Sequence, residues 1–144
     1  MKTHIIKTFS LALTALLFTS CKTQIQNQQL TCNDFKDGTF EFYDKELNKK
    51  YVLIRNNDSQ IEQVYDLTTN NLDPESNRIM KISWLNDCEY KAILDTTKSK
   101  YDELDLLMIS KGGLKNKIIS IEKKCALTES SIENFTKTFR ICKK

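Results

Sequence analysis

The sequence predicts an all-β protein: an antiparallel up-and-down meander of seven or eight strands, forming a small closed or partly open barrel, with at most one short helix. Three observations carry this reading. Apolar and polar residues alternate with period two in one short segment after another. Hairpin-length polar links separate those segments, whereas parallel strands would need long crossovers. Helical periodicity is almost absent, and closure into a barrel removes the sheet edges such a chain would otherwise expose. The runner-up is an open sheet curled over one short helix.

The body opens at Cys32-Asn33-Asp34-Phe35-Lys36-Asp37-Gly38, where Asp-Gly marks a turn. Residues 39–43 alternate, which points Phe40 and Phe42 into the core. A polar turn over 44–49 leads to Tyr51-Val52-Leu53-Ile54-Arg55, a second strand. Asn56-Asn57-Asp58-Ser59 is a hairpin-type turn, and 60–65 follow as a third strand with Ile61 and Tyr65 on one face. Residues 68–77 read as a loop holding the only proline, Pro74. Met80, Ile82 and Trp84 alternate with Lys81 and Ser83 as a fourth strand, and Asn86-Asp87 turn the chain into a fifth at 88–94.

Residues 95–102 are polar, with room for one helical turn. The dense apolar run 104–110 is expected as a sixth strand, ended by a turn at Lys111-Gly112-Gly113. Ile118, Ile119 and Ile121 make a seventh strand leading to Cys125, and Ser130-Ser131-Ile132-Glu133 resembles a helix capping box. Residues 136–142 alternate again and close the domain as an eighth strand.

Ahead of this body stands a targeting pattern. Lys2 and Lys7 make the first residues basic, and Phe9 to Phe18 is apolar except for Ser10 and Thr14. That run is about ten residues, too short to cross a ~30 Å hydrocarbon core as a helix. Leu17-Phe18-Thr19-Ser20-Cys21 resembles a bacterial lipobox, with Phe18 where leucine is usual. The expected organisation is a lipoprotein signal peptide at 1–20, a polar tether at 21–31 and a single β domain at 32–144. Cys21 would carry a diacylglycerol thioether and an N-acyl chain such as palmitate. Each buried CH₂ contributes about 0.8 kcal/mol, so two or three chains anchor firmly where one is marginal. The expected location is the bacterial cell envelope, at the outer membrane facing the periplasm. Membrane lipid is then one partner through the acylated cysteine, and an envelope protein is the candidate second.

The chain carries 22 Lys+Arg against 19 Asp+Glu. Lys2 and Lys7 leave with the leader, so the remainder is close to neutral, which argues against nucleic acid as a partner. With Cys21 assigned to lipid, Cys32, Cys88, Cys125 and Cys142 remain. An even number in an exported chain reads as two disulfides, with three possible connectivities. Cys32–Cys88 with Cys125–Cys142 is favoured because each bond joins segments that neighbour one another in a meander. Each contributes about 3 to 4 kcal/mol in the chain-entropy account. No Cys-x-x-Cys spacing is present and the single histidine, His4, lies in the leader, so no metal or cofactor is expected.

The same His4 argument removes a histidine base from the mature chain, and three glycines make no phosphate loop. Asp34, Asp37, Glu41, Glu62, Asp87 and Glu89 offer no selected pair for a carboxylate hydrolase and read as solvated surface. Asp102-Glu103 and Asp105 lack EF-hand spacing and read the same way. No catalytic residue is assigned. Phe35, Phe40, Phe42, Tyr51, Tyr65, Trp84 and Tyr90 either fill the core or line an apolar cavity. The functional expectation is therefore a membrane-anchored, non-catalytic binding or interaction module. The alternatives are a lipocalin-like carrier of a small apolar ligand and a carboxylate-based hydrolase.

Two motifs, Cys32-x-x-Phe35-Lys36-x-Gly38-x-Phe40 and Trp84-x-x-x-Cys88-x-Tyr90, joined by Arg55-Asn56-Asn57, resemble a group of small, uncharacterised lipoproteins from Bacteroidota. The resemblance covers residues 32–94, with Cys125 and Cys142 as additions. It implies a Cys32–Cys88 bond, since these cysteines belong to the two best-matched motifs, and it implies no activity. Some members carry a DNA topoisomerase IV label. A short, exported, nearly neutral chain without nucleotide or magnesium motifs gives that label no support.

Overall fold

The computed structural model describes residues 29–74 and 76–144. The expected leader at 1–20, Cys21 and most of the expected tether at 21–31 lie outside the described residues. A 3-10 turn at Cys32–Phe35 precedes eight strands: β1 Asp37–Asp44, β2 Lys49–Asn56, β3 Ser59–Asp66, β4 Arg78–Trp84, β5 Glu89–Leu94, β6 Leu114–Glu122, β7 Cys125–Ile132 and β8 Phe135–Lys143. One helix, α1 Glu103–Ser110, stands between β5 and β6. Every strand pairs with its sequence neighbour, and β8 returns to β1 through Phe40↔Lys143 and Glu41↔Cys142, closing an antiparallel barrel. The up-and-down meander is thus complete, without an open edge.

The inward row carries the apolar residues. Phe40, Phe42, Leu53, Met80, Ile82, Ala92, Ile118 and Ile141 are all buried. The outward row carries Lys81, Lys91, Lys115, Lys117 and Arg140, all exposed. Barrels that cross a bilayer show the reverse, with an apolar band outside. This barrel hides its apolar surface in its own interior.

Its two ends differ. At one end the links are tight turns, and the N-terminal 3-10 turn plugs the opening with Phe35, which is 1% exposed. Two disulfides brace this end. Cys32–Cys88 ties the plug to the β4–β5 turn, and Cys125–Cys142 joins directly opposed residues of β7 and β8. At the other end lie the β1–β2, β3–β4 and β7–β8 links and the segment bearing α1.

The count of eight strands agrees with expectation, but two of its members do not. Residues 104–110 are helix, not a sixth strand. A dense run of Leu and Met is compatible with either state on periodicity, and the ends decide it. Asp102 accepts from the Asp105 backbone N–H at 2.9 Å, and its own N–H donates to the Asp105 carboxylate at 3.1 Å, a reciprocal cap. Gly112-Gly113 is no hairpin turn but the helix stop. Gly113 N–H bonds to Met108 C=O and Gly112 N–H to Ile109 C=O, both at 2.9 Å, with φ of +82° and +83° at the two glycines. A side chain at Gly113 would also sit 2.4 Å from Ile93 Cγ1 and 2.6 Å from the Ala92 carbonyl oxygen.

The missing strand is β7. Its 130–133 end is not a capping box but the strand terminus and turn before Phe135, with Glu133 at φ +49°. The serines there belong to the ladder, as Ser130↔Asn116 and Ser131↔Lys115 pairs with β6.

Candidate functional site

The barrel floor is a continuous stack. The Phe35 and Phe40 rings lie 5.5 Å apart, and the Arg55 guanidinium covers Phe40 at 5.3 Å and Tyr90 at 4.6 Å. Trp84 continues it against Tyr90 at 4.7 Å, and Lys36 caps Trp84 at 5.1 Å. Arg55 is 5% exposed, and its donors are used on neutral acceptors. Nε donates to Gln60 Oε1 at 2.7 Å, Nη1 to the Phe35 carbonyl at 3.0 Å, and Nη2 to the Tyr90 hydroxyl. The Trp84 indole N–H reaches the Asn57 carbonyl at 2.8 Å. A buried cation is costly unless hydrogen-bonded, and the two aromatic faces add cation–π attraction. The residues that stood out as motifs, from Cys32 and Phe35 through Arg55 to Trp84, Cys88 and Tyr90, therefore meet at one place. They build the floor.

Above the floor the interior is hollow. A cavity of about 290 Å³ runs from the Arg55–Tyr90 level to the open end. Leu53, Met80, Ala92 and Ile141 form its lower wall, with Phe42, Tyr51 and Phe139 higher up. The Phe42 and Tyr51 rings are parallel at 4.5 Å, and Phe139 tilts against Phe42 at 4.8 Å. The aromatic choice between core and cavity thus divides by position. Phe35 and Phe40 fill the floor, and Phe42, Tyr51 and Tyr90 face the cavity. Tyr65 points outward, with Lys50 over its ring at 4.4 Å.

The polar groups in the wall are few and placed singly. Asn116 accepts from the Ser130 hydroxyl at 2.5 Å. At the mouth, Lys137 Nζ lies 2.8 Å from Asp44 and 3.4 Å from Glu46. The Lys137 hydrogen bond holds the Asp44 carboxyl below its ordinary range, helped by the Leu47 and Glu46 backbone N–H groups. Glu62 is different. It sits on the inward row of β3, opposite Leu53 of β2 and Arg78 of β4, and lines the cavity. Burial raises its carboxyl above the ordinary range, and the Arg78 charge offsets that only in part.

Two expectations change here. Glu62 is not solvated surface, because β3 turns Gln60 and Glu62 inward and Ile61 and Tyr65 outward. Asp105 is not surface either. It is 3% exposed and receives the Arg78 guanidinium, which docks α1 on the barrel rim. Among the described residues no three His, Cys, Asp or Glu side chains converge as a metal site. Of the other carboxylates, Asp87 holds Lys36 at 3.1 Å and Glu89 holds Lys117 at 3.4 Å, both on the outside of the barrel.

Sequence reasoning did not single out Gln60, Asn116, Ser130 or Lys137. The available signal was polar residues on the inward parity of strands, which a filled core would not tolerate.

Such a site has the makings of a receptor: a pre-formed concave chamber, mostly apolar, with a small number of polar groups. Comparison with family models, with curated proteins and with solved structures finds no match for this chain.

Proposed function

We infer that this protein is a lipid-anchored component of a bacterial envelope whose barrel binds a small, mainly apolar ligand without transforming it. The observation that carries the reading is the cavity itself: about 290 Å³ of apolar-walled space inside a braced barrel. At roughly 30 Å³ per water-sized group, that space suits a ligand portion of about ten heavy atoms. Burying such a body contributes about 0.8 kcal/mol per CH₂.

The anchoring rests on the basic start, the short apolar run and Cys21. Leu30 and Cys32 pack at the plugged end of the barrel, opposite the mouth.

A second reading, docking on an envelope protein, is favoured by one observation. Exposed apolar side chains stand at the mouth and on α1: Leu47 and Phe135, which line the cavity, are 59% and 64% exposed, and Leu104 and Leu107 of the helix 62% and 53%. A hand-over partner would cover them.

The test is to purify the protein from its native membrane, extract it with organic solvent and analyse the extract by mass spectrometry. The carrier reading expects one small amphiphile in near-stoichiometric amount, lost in an Ala92→Phe variant that fills the chamber. An empty extract, or the same compound from the filled variant, contradicts it. For the anchor, Cys21→Ser is expected to move the protein from the membrane fraction to the soluble fraction.

A further inference from the structure

The charges of the cavity wall can be paired off one by one. Lys137 is held by Asp44 and Glu46. Behind the wall, Arg78 pairs with Asp105 through Nη2, while its Nε is buried without a hydrogen-bond partner. Arg55 is buried in the floor, its guanidinium stacked between Phe40 and Tyr90 and bonded to Gln60, the Phe35 carbonyl and the Tyr90 hydroxyl. What remains is Glu62. Its carboxylate lines the chamber and has no hydrogen-bond or ion-pair partner among the described residues; the charge of Arg78, which stands opposite it on β4, acts on it electrostatically.

The surroundings of Glu62 are aromatic. Tyr51 is its diagonal neighbour across β2–β3, because Leu53 stands opposite Glu62 and Tyr51 opposite Val64. Phe42 is stacked on Tyr51, and Phe139 is tilted against Phe42. Carboxylate and ring faces both attract cations, the faces through their quadrupole. A half-buried carboxylate without a partner also loses part of its hydration in the empty protein, and a ligand cation offsets that loss. Neither feature favours an anionic head, and a neutral head gains only a hydrogen bond.

We propose that the ligand carries an amine or ammonium head on a short apolar body, and that Glu62 receives this head beside the Tyr51, Phe42 and Phe139 rings. The apolar body lies deeper, along Leu53, Met80, Ala92 and Ile141. This rests on the cavity being a binding site, and the test separates the two claims.

Octylamine, octanol and octanoate share one chain and differ in head charge. Each is titrated calorimetrically into the full chain carrying Cys21→Ser, so that no acyl group competes, and into the same chain with Glu62→Gln. The expected result is that octylamine binds about tenfold or more tighter than either analogue. Glu62→Gln is expected to remove that preference while leaving octanol affinity within about twofold. If octanol or octanoate matches octylamine, or if Glu62→Gln keeps the amine preference, the head-group assignment is wrong and the cavity reading stands. Octanoate binding best would move the head group to Arg55. If none of the three binds, both claims fall. Circular dichroism of Glu62→Gln checks that the barrel is intact.

Discussion

Replacing Cys32 and Cys88 together by alanine removes the cross-link between the N-terminal plug and the β4–β5 turn. The magnitude follows from chain topology. The bond closes a loop with a sequence separation of 56 residues, whereas Cys125–Cys142 closes one of 17. Loop-closure entropy of the unfolded chain then assigns about 4 kcal/mol to the first and about 3 kcal/mol to the second. For a domain of this size, 4 kcal/mol corresponds to roughly 15 °C in Tm and 3 kcal/mol to roughly 10 °C. Location points the same way. Cys125 and Cys142 are already opposed in a continuous ladder, while Cys32 holds a four-residue 3-10 turn whose Phe35 seals the floor. The assay is thermal unfolding by circular dichroism of both double variants beside the parent. Cys32→Ala/Cys88→Ala is expected to be the less stable, and amide exchange in its floor residues faster. If Cys125→Ala/Cys142→Ala loses more, loop length does not govern these bonds and the plug is not held by Cys32.

Other substitutions test separate parts of the account. Arg55→Met leaves the Gln60, Phe35 and Tyr90 acceptors without their donor in a buried site. A loss of about 2 to 4 kcal/mol in urea unfolding is expected, and a neutral result would refute the stacked-floor description. Gly113→Ala puts a methyl group against Ile93 and the Ala92 carbonyl, whereas the same change at Gly112 meets only Lys91 Nζ at 4.0 Å. The former is expected to cost about 2 kcal/mol or more and the latter about 1 kcal/mol. The Asp44 carboxyl is depressed in the folded state by Lys137, so its stabilising contribution is present above the unfolded carboxylate range and lost as pH falls through the lowered folded value. The stability gap between parent and Lys137→Met should therefore be full at neutral pH and close on acidification below about pH 4. Glu62 has the opposite sign. Its folded carboxyl is raised, so the empty barrel gains from protonation and loses that gain as pH rises; Glu62→Gln should raise Tm at neutral pH and not at acid pH.

The fold was legible because closure of a meander needs only local information. Alternation at Phe40 and Phe42 placed β1, the turn residues placed the hairpins, and neighbouring strands bring Cys125 and Cys142 together; Cys32 meets Cys88 across the barrel end instead, through the 3-10 turn before β1. The run at 104–110 was not legible in the same way. Its apolar residues suit helix or strand alike, and the deciding contacts, Asp102 with Asp105 and the double-glycine stop, are matters of capping geometry. At β7, the polar end Thr128-Glu129-Ser130-Ser131 hides its alternation, because Ser130 faces a cavity instead of a packed core.

The candidate site was harder still. In β3 the apolar residues Ile61 and Tyr65 point outward while Gln60 and Glu62 point inward, the reverse of what a filled core dictates. A hollow interior relaxes the rule that inward means apolar, and that relaxation marks the site. The conspicuous motifs led elsewhere, to the floor, where Arg55, Tyr90 and Trp84 hold the chamber closed.

A saturable probe decides whether the barrel is a receptor for an apolar ligand. A neutral naphthalene fluorophore is titrated into the full chain carrying Cys21→Ser, alongside chains that also carry Ala92→Phe or Ser130→Phe, two positions on the cavity wall. A receptor barrel gives a blue-shifted emission that saturates at one probe per chain in the first protein, with affinity weakened about tenfold or more in both filled variants. Emission that does not saturate, or that is the same in all three folded proteins, would contradict it.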